Sequence, residues 1–387
     1  MSRNRFITSP ELSAFELSPD HPFKPLRAQL TESLIEASGL FEPGERVPPQ
    51  PLPPDALSRV HEPHYLDLVR DVSAGRKRED SYSYGLGTGD NPVFKGMHQA
   101  ITGVCAATTT AVELVTSGQA DRALNLSGGL HHAHPARASG FCVYNDLAVA
   151  IEHATRMHGC RIACIDLDAH HGDGTQEIFL GRGDVLTLSI HESGRYLFPG
   201  SGHTYELGRG DGRGCSVNAP LEPFTEDDSY LEVFEAVVPQ ALAWFRPDLI
   251  VLQGGADSHR LDPLADLALT LPGMLRAWER VIELADEYCD GRIVATGGGG
   301  YDAYRTVPRA WAGLWALITG RQLPDSLPAS WRDQWQREGN LLPERALDSP
   351  ADYEPQPRRR EISNQNRAML GRLEGALDPI RRKPALR

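Results

Sequence analysis

The chain has 387 residues, 40% of them hydrophobic, and a formal net charge of −13, which is typical of an acidic globular protein. No apolar stretch is long enough to span a membrane, and no apolar signal core follows the first residues. The acidic charge argues against direct nucleic-acid binding and favours encounters with cationic partners. Because the six cysteines form no Cys-x-x-Cys pair, we expect a reducing, cytoplasmic location without membrane partners.

Short apolar runs alternate along the chain with longer segments that are apolar at helical spacing. Five runs predict buried strands, at 122–127, 161–167, 184–190, 248–253 and 292–296. The longer segments predict helices, at 97–116, 143–157, 230–245, 274–288 and 308–319. This alternation predicts an α/β fold: a single domain with a mainly parallel central sheet and helices on both faces.

Two segments interrupt this pattern. Residues 42–55 contain six prolines and predict an extended surface loop. After residue 324 the strand–helix alternation stops. We therefore assign residues 1–325 to one domain and residues 326–387 to a C-terminal extension, with a linker at 349–357 and a tail helix at 362–377.

Reactive side chains follow most of the predicted strands. Asp168 and His170 come directly after the run 161–167, and two residues this far apart on an extended segment point to the same side. The other runs lead to the pair His131-His132, to Asp257 and to Tyr301. Because parallel α/β sheets bind ligands at the carboxyl ends of their strands, we expect these side chains to form one site.

Asp168, His170 and Asp257 are the candidate metal ligands. A catalytic zinc ion keeps three protein ligands and one open position, and two carboxylates with one imidazole supply the three. Zn²⁺ is the first choice, although Fe²⁺ and Mn²⁺ also suit oxygen and nitrogen ligands.

Several motifs together resemble the zinc-dependent histone deacetylase family, most closely its bacterial acetoin-utilisation branch. They are GGLHHAHPARASGFCVYN at 128–145, IDLDAHHGDGT at 165–175, SIHESGRYLFPGSG at 189–202, GGADSHRLD at 254–262 and GGGGY at 297–301, with shorter matches at 21–27 and 89–94. The resemblance runs in fixed order over residues 19–320 and implies the arginase/deacetylase fold, with 1–325 as the catalytic domain.

The resemblance implies a role for each catalytic residue. It pairs His131 with Asp166 and His132 with Asp173, and a carboxylate partner orients an imidazole and raises its basicity. We assign His132 as general base and His131 to electrostatic support or to proton delivery to the leaving amine. Tyr301, after four glycines, would donate a hydrogen bond to the developing oxyanion.

The resemblance also implies a substrate tunnel. A narrow apolar slot for a methylene chain would be lined by Gly140, Phe141, Phe198 and Leu264. Asp90 would sit at the rim and accept hydrogen bonds from substrate amide groups. Arg27 would lie behind the metal, near an exit path for acetate.

Structural potassium is a further implication of the resemblance. One site would use the carbonyls of Asp166, Asp168, His170 and Ile190 with the side chains of Asp166 and Ser189. A second would use the carbonyls of Phe179, Arg182, Val185 and Cys215.

Together the motifs predict a metal-dependent amidohydrolase that removes acetyl groups from protein lysine. An acetylpolyamine amidohydrolase is the main alternative: a histidine two residues past the ligand, as at His259, resembles that branch and favours it slightly, whereas the segment 21–27 favours a protein substrate. A non-catalytic acyl-lysine binder would lack a ligand, a dyad histidine or the tyrosine, and a binuclear arginase-like enzyme would need more bridging carboxylates. The physiological substrate and the oligomeric state stay open.

Overall fold

A computed structural model describes residues 3–13, 16–337 and 342–381 of the chain. Over these residues one sheet runs in the order β2-β1-β3-β8-β7-β4-β5-β6, and all neighbouring strands are parallel. The strands are β1 (Asn4–Ile7), β2 (Arg46–Val47), β3 (Arg122–Asn125), β4 (Ile162–Asp166), β5 (Val185–Glu192), β6 (Ser216–Leu221), β7 (Leu249–Gln253) and β8 (Ile293–Thr296).

Helices cover both faces of this sheet. They are α1 (Leu26–Ala37), α2 (Pro63–Ser73), α3 (Met97–Thr116), α4 (Asp146–His158), α5 (Asp173–Phe179), α6 (Asp227–Phe245), α7 (Leu271–Tyr288), α8 (Thr306–Thr319), α9 (Ala329–Trp335) and α10 (Arg359–Arg381). One hydrophobic cluster packs α1, α6, α7 and α8 against one face, and a second packs α2, α3 and α4 against the other. The predicted α/β fold with helices on both faces is therefore confirmed.

Strand β4 shows why the central strands are continuously apolar. All five of its residues are buried. Ala163 and Ile165 belong to one hydrophobic cluster, whereas Ile162 and Cys164 belong to the other. A strand covered on both faces has no solvent side, so alternation of polar and apolar residues disappears.

The predicted helices and strands are present, with bounds that differ by a few residues. Helix α7 begins at Leu271 rather than at residue 274, because the Thr270 side chain accepts a hydrogen bond from the Gly273 amide at 3.3 Å. Strands β1, β2 and β6 and helices α1, α2, α5 and α9 were not predicted. The proline-rich segment 42–55 is mainly extended loop and contains only the two-residue strand β2.

The tail helix α10 packs against the body of the protein. Its side chains Met369, Leu370, Leu373 and Leu377 are buried in the same cluster as α6. Asn366 donates hydrogen bonds to Thr225 and Ser229. The division of the chain into units at residue 325 stays a prediction.

No helix in the described ranges combines the length and the apolarity that a membrane crossing requires.

We predict that Leu373→Ala lowers the free energy of unfolding by about 2–5 kcal/mol, because it leaves a cavity at a fully packed position. Urea denaturation measures this change. Glu374→Ala, at the exposed neighbouring position, is the control and should change the free energy by roughly 0.5 kcal/mol or less. Equal effects of the two substitutions would show that α10 does not contribute to the core.

Candidate active site

The carboxyl ends of β3, β8, β7 and β4 lie at one level of the sheet, beside Ser189 of β5, which continues to Glu192. The backbone register joins Asn125 of β3 to Thr296 of β8, Thr296 to Gln253 of β7, Gln253 to Asp166 of β4, and Asp166 to Ser189 of β5. The loops that follow these residues therefore start side by side, which brings the reactive side chains of the separate motifs together.

Asp168, His170 and Asp257 form a buried cluster whose potential ligand atoms all lie within 4.8 Å of one another. His170 Nδ1 lies 2.9 Å from Asp257 Oδ2 and 3.3 Å from Asp168 Oδ1. Burial and the neighbouring Asp168 carboxylate raise the pKa of Asp257 to about 6. Two buried carboxylates converging on one imidazole are stabilised by a divalent cation, so these residues fit a metal ion.

Further groups fix the two carboxylates. Gln253 Nε2 donates to Asp168 Oδ2 at 2.8 Å, and the Gly299 amide donates to the same oxygen at 2.7 Å. The Ala169 amide donates to Asp257 Oδ1 at 2.9 Å. Sequence reasoning missed Gln253, although a polar residue ending an otherwise apolar strand was an available signal. Partners of this kind orient ligands and tune a bound metal.

The two adjacent histidines contact the carboxylates with which the resemblance pairs them. His131 Nδ1 lies 2.7 Å from Asp166 Oδ2, and His132 Nδ1 lies 2.7 Å from Asp173 Oδ1. Both imidazoles are buried, and their ring centroids are 4.0 Å apart.

These surroundings favour opposite protonation states for the two imidazoles. Burial lowers the pKa of His131, but the Asp166 and Asp168 carboxylates outweigh it and raise that pKa to about 9. Burial and the nearby His131 lower the pKa of His132 to about 4. Near neutral pH, His132 is therefore unprotonated and can accept a proton, whereas His131 is cationic.

Asn145 and Asp146, at the start of α4, hold the turn that carries the histidines. Asp146 Oδ1 accepts hydrogen bonds from the amides of Gly129 at 3.1 Å and Leu130 at 2.7 Å. Asn145 Nδ2 donates to the His131 carbonyl at 3.2 Å. Sequence reasoning gave neither residue a role, since their contacts cross to a turn about 15 positions earlier in the chain.

Glycine is required where loops approach the reactive groups closely. A side chain at Gly299 would collide with the Asp257 carboxylate, and one at Gly140 would collide with the His132 ring. Both positions therefore need a residue without a Cβ atom.

A cavity of about 230 Å³ leads to these groups. It is lined by Asp90, His132, Gly140, Phe141, His170, Leu197, Phe198, Leu264 and Tyr301. All four predicted tunnel residues and the predicted rim residue Asp90 are therefore brought together, whereas Leu197 was missed. Phe198, 44% exposed, belongs to the mouth.

Tyr301 lines this cavity together with His170, one of the three candidate metal ligands. Its ring centroid is 6.3 Å from that of His170 and 5.7 Å from that of Phe141. Burial and the charge of Asp257 raise the pKa of the Tyr301 phenol well above its usual value. The hydroxyl therefore keeps its proton and is a hydrogen-bond donor.

Arg27 lies apart from this cavity, behind the tyrosine loop. Its Nη1 donates to the Gly300 carbonyl at 2.5 Å, and its guanidinium lies 5.9 Å from the Tyr301 ring centroid. A separate cavity of about 10 Å³ borders Arg27. Its role in acetate exit stays a prediction.

The first predicted potassium site has groups that fit a cation. Asp166 and Ser189 border a cavity of about 10 Å³. The buried carbonyls of Asp168 and His170 accept no hydrogen bond from any residue that the structure describes. Backbone carbonyls left without donors suit a monovalent cation.

At the second predicted potassium site, two of the four carbonyls already accept hydrogen bonds. The Phe179 carbonyl accepts one from the Arg182 amide at 2.9 Å, and the Cys215 carbonyl accepts one from the Thr187 amide at 2.8 Å. The binding of potassium by the carbonyls of Phe179, Arg182, Val185 and Cys215 stays a prediction.

His259 points away from the cavity. Its side chain is fully buried, and its Nε2 lies 2.7 Å from Asp348 Oδ2 in the C-terminal extension. Arg309 Nη1 donates to the other oxygen of Asp348 at 2.9 Å. His259 is not among the residues that line the cavity, and its bearing on a polyamine substrate stays a prediction.

Comparisons with known proteins agree with this site. Residues 21–318 match the family model described as "Histone deacetylase domain". The acetoin utilization protein AcuC of Bacillus subtilis (strain 168) is 45% identical over 363 residues, which cover 93% of this chain and 94% of that protein. The protein of the same name from Staphylococcus aureus (strain MRSA252) is 39% identical over 372 residues, covering 95% of this chain and 96% of that protein.

Solved structures show the same fold. A histone deacetylase homologue from Aquifex aeolicus superposes with a TM-score of 0.83 and 28% identity, covering 94% of this chain and 100% of that chain. A histone deacetylase homologue complexed with SAHA gives a TM-score of 0.84 and 29% identity, covering 97% of this chain and 100% of that chain.

The fold, the buried Asp-His-Asp cluster and the two His–Asp pairs define a hydrolytic deacetylase of the arginase/deacetylase fold. The chain belongs to the histone deacetylase family and is similar to the bacterial acetoin utilization proteins.

We predict that the purified protein binds about one catalytic divalent ion per chain and that Asp257→Ala loses it, because two ligands rarely retain zinc. Elemental analysis measures the content. Asp173→Asn, which contacts His132 rather than the ligands, should keep the ion. Full occupancy in Asp257→Ala would contradict the ligand assignment.

Proposed function

We propose that this deacetylase hydrolyses N-ε-acetyl-lysine in proteins, releasing acetate and the free lysine. The observation that supports this most directly is the cavity of about 230 Å³, which has aromatic and aliphatic walls and borders His132, His170 and Tyr301. Such a slot suits a methylene chain that ends in a small acyl amide. Asp90 borders the same cavity and is suited to accept hydrogen bonds from the amide groups of a peptide.

The metal ligands in this proposal are Asp168, His170 and Asp257, with Zn²⁺ as the first choice and Fe²⁺ or Mn²⁺ as alternatives. When bound, the ion supplies Lewis-acid polarisation of the acyl carbonyl and a lower pKa for water. The proposed potassium ion beside Asp166 and Ser189 is structural.

The protein's own side chains move the protons. Unprotonated His132, oriented by Asp173, accepts a proton from the attacking water. Cationic His131 lies beside it and either stabilises the developing negative charge or delivers a proton to the leaving amine. The Tyr301 hydroxyl donates a hydrogen bond to the oxyanion, which carries more charge in the transition state than the substrate carbonyl does.

An acetylpolyamine is the second candidate substrate. The net charge of −13 is compatible with it, because an acidic protein attracts cationic polyamines as well as lysine-rich segments. The deciding experiment compares kcat/KM for an acetyl-lysine peptide with that for acetylspermidine. We expect the peptide to be preferred, and a preference for acetylspermidine would overturn the proposed substrate class while leaving the chemistry intact.

The remaining alternatives lack support. A non-catalytic binder would lack part of the machinery, whereas the three ligands, both histidines and Tyr301 are all present. A binuclear enzyme needs more ligands, and within residues 3–13, 16–337 and 342–381 Asp168, His170 and Asp257 are the only group of three or more His, Cys, Asp or Glu side chains that could hold a metal ion. All six cysteines are unpaired, which supports a cytoplasmic location.

We predict that Tyr301→Phe lowers kcat by about 10²–10³-fold, because it removes one hydrogen-bond donor to the oxyanion and keeps the ring. KM and metal content should change little, since the cavity walls and ligands are intact. Steady-state kinetics on an acetyl-lysine peptide test this. A normal kcat with a greatly raised KM would instead make Tyr301 a substrate-binding residue.

A further inference from the structure

Asp262 joins two walls of the active-site cavity through one carboxylate. Its side chain lies in the loop after β7 and is only 8% exposed. Oδ2 accepts a hydrogen bond from the Tyr301 amide at 2.7 Å, and Oδ1 accepts one from the Leu264 amide at 2.9 Å. Both amides belong to residues that line the cavity.

The segment before Tyr301 has no side chains of its own to hold it in place. Gly297 to Gly300 are four consecutive glycines, and Gly300 has a φ of 132°, which other residues rarely adopt. The Gly299 amide binds Asp168, and the Gly300 carbonyl accepts from Arg27. Asp262 adds a hydrogen bond to the backbone amide of Tyr301 itself, the residue that carries the phenol.

A carboxyl group at this position is unfavourable for stability. Burial and the charge of Asp257 raise the pKa of Asp262 to about 8. An apolar side chain would avoid the cost of burying this group. The two amides that it binds give a reason for its presence.

We propose that Asp262 is a positioning residue that holds the Tyr301 hydroxyl in place over the three candidate metal ligands. Through its second oxygen it also keeps Leu264, in the cavity wall, at a set distance from Tyr301. The inference rests on the proposed function, in which that hydroxyl stabilises the oxyanion. A donor displaced from the reacting oxygen loses much of its effect, because preorganised donors act only at the position where charge develops.

Asp262→Asn tests the proposal, because asparagine keeps the shape but replaces one acceptor oxygen by an NH₂ group that faces a backbone N–H. We expect kcat to fall by about 10-fold to 10²-fold, within the range of losing one oxyanion donor. KM for an acetyl-lysine peptide and the metal content should stay close to those of the unaltered enzyme.

A double-mutant cycle separates positioning from general damage. If Asp262 acts through the tyrosine hydroxyl, Asp262→Asn combined with Tyr301→Phe should be no slower than Tyr301→Phe alone. Multiplying losses in kcat would overturn the proposal.

Asp227→Asn is the matched control. Asp227 is also a mostly buried carboxylate that accepts from a backbone amide, that of Thr270 at 2.8 Å, but it lies at the start of α6 and does not line the cavity. We expect normal kcat in this variant even if its melting temperature falls as much as that of Asp262→Asn. An equal loss of kcat in both variants would overturn the specific role of Asp262.

The outcomes also distinguish this inference from the proposed function. Normal activity in Tyr301→Phe would show that the hydroxyl is not needed and would contradict the proposed catalysis. An impaired Tyr301→Phe beside a normal Asp262→Asn would overturn only the inference about Asp262. If Asp262→Asn does not fold, Asp262→Glu replaces it in the double-mutant cycle. Glutamate keeps both oxygens on a longer side chain, and we again expect that combining it with Tyr301→Phe causes no further loss in kcat.

Discussion

Two carboxylates, Asp168 and Asp257, are fully buried within reach of one imidazole, and the rest of the active site depends on this arrangement. Burying like charges side by side is unfavourable unless donors and a cation surround them. Gln253, the Gly299 amide and the Ala169 amide supply donors from three different segments. Burial and these two carboxylates together raise the pKa of the Tyr301 phenol well above its usual value.

The parallel sheet makes this concentration of charge possible. Because the ends of β3, β8, β7 and β4 lie in register, the loops that follow these strands meet without long connections. The glycines then allow the loops to pack more closely than side chains would permit, as Gly299 does against Asp257. The different pKa values of His131 and His132 follow from their surroundings. The Asp166 and Asp168 carboxylates raise the pKa of His131, whereas burial and the charge of His131 lower that of His132.

Much of this architecture could be predicted because buried parallel strands are continuous apolar runs that end in glycine and reactive side chains. Strand β2 could not be predicted, because two residues are too few to show a periodic pattern. Asp146 and Asp262 could not be predicted because they accept hydrogen bonds from backbone amides, which any residue type can donate. The contact of His259 with Asp348 could not be predicted either, because the position of a residue in the chain does not show which way its side chain points.

The bond between His259 and Asp348 has a consequence for the loop that carries Asp257. His259 is fully buried two residues after that ligand, and Asp348 lies 89 positions later in the chain. Arg309 of α8 donates to the other oxygen of Asp348, so one carboxylate joins the loop after β7, helix α8 and the segment before α10. Loss of one partner from a buried hydrogen-bonded group is unfavourable because it leaves the others unsatisfied. The C-terminal segment is therefore part of the support of the catalytic loop, although none of its described residues lines the cavity.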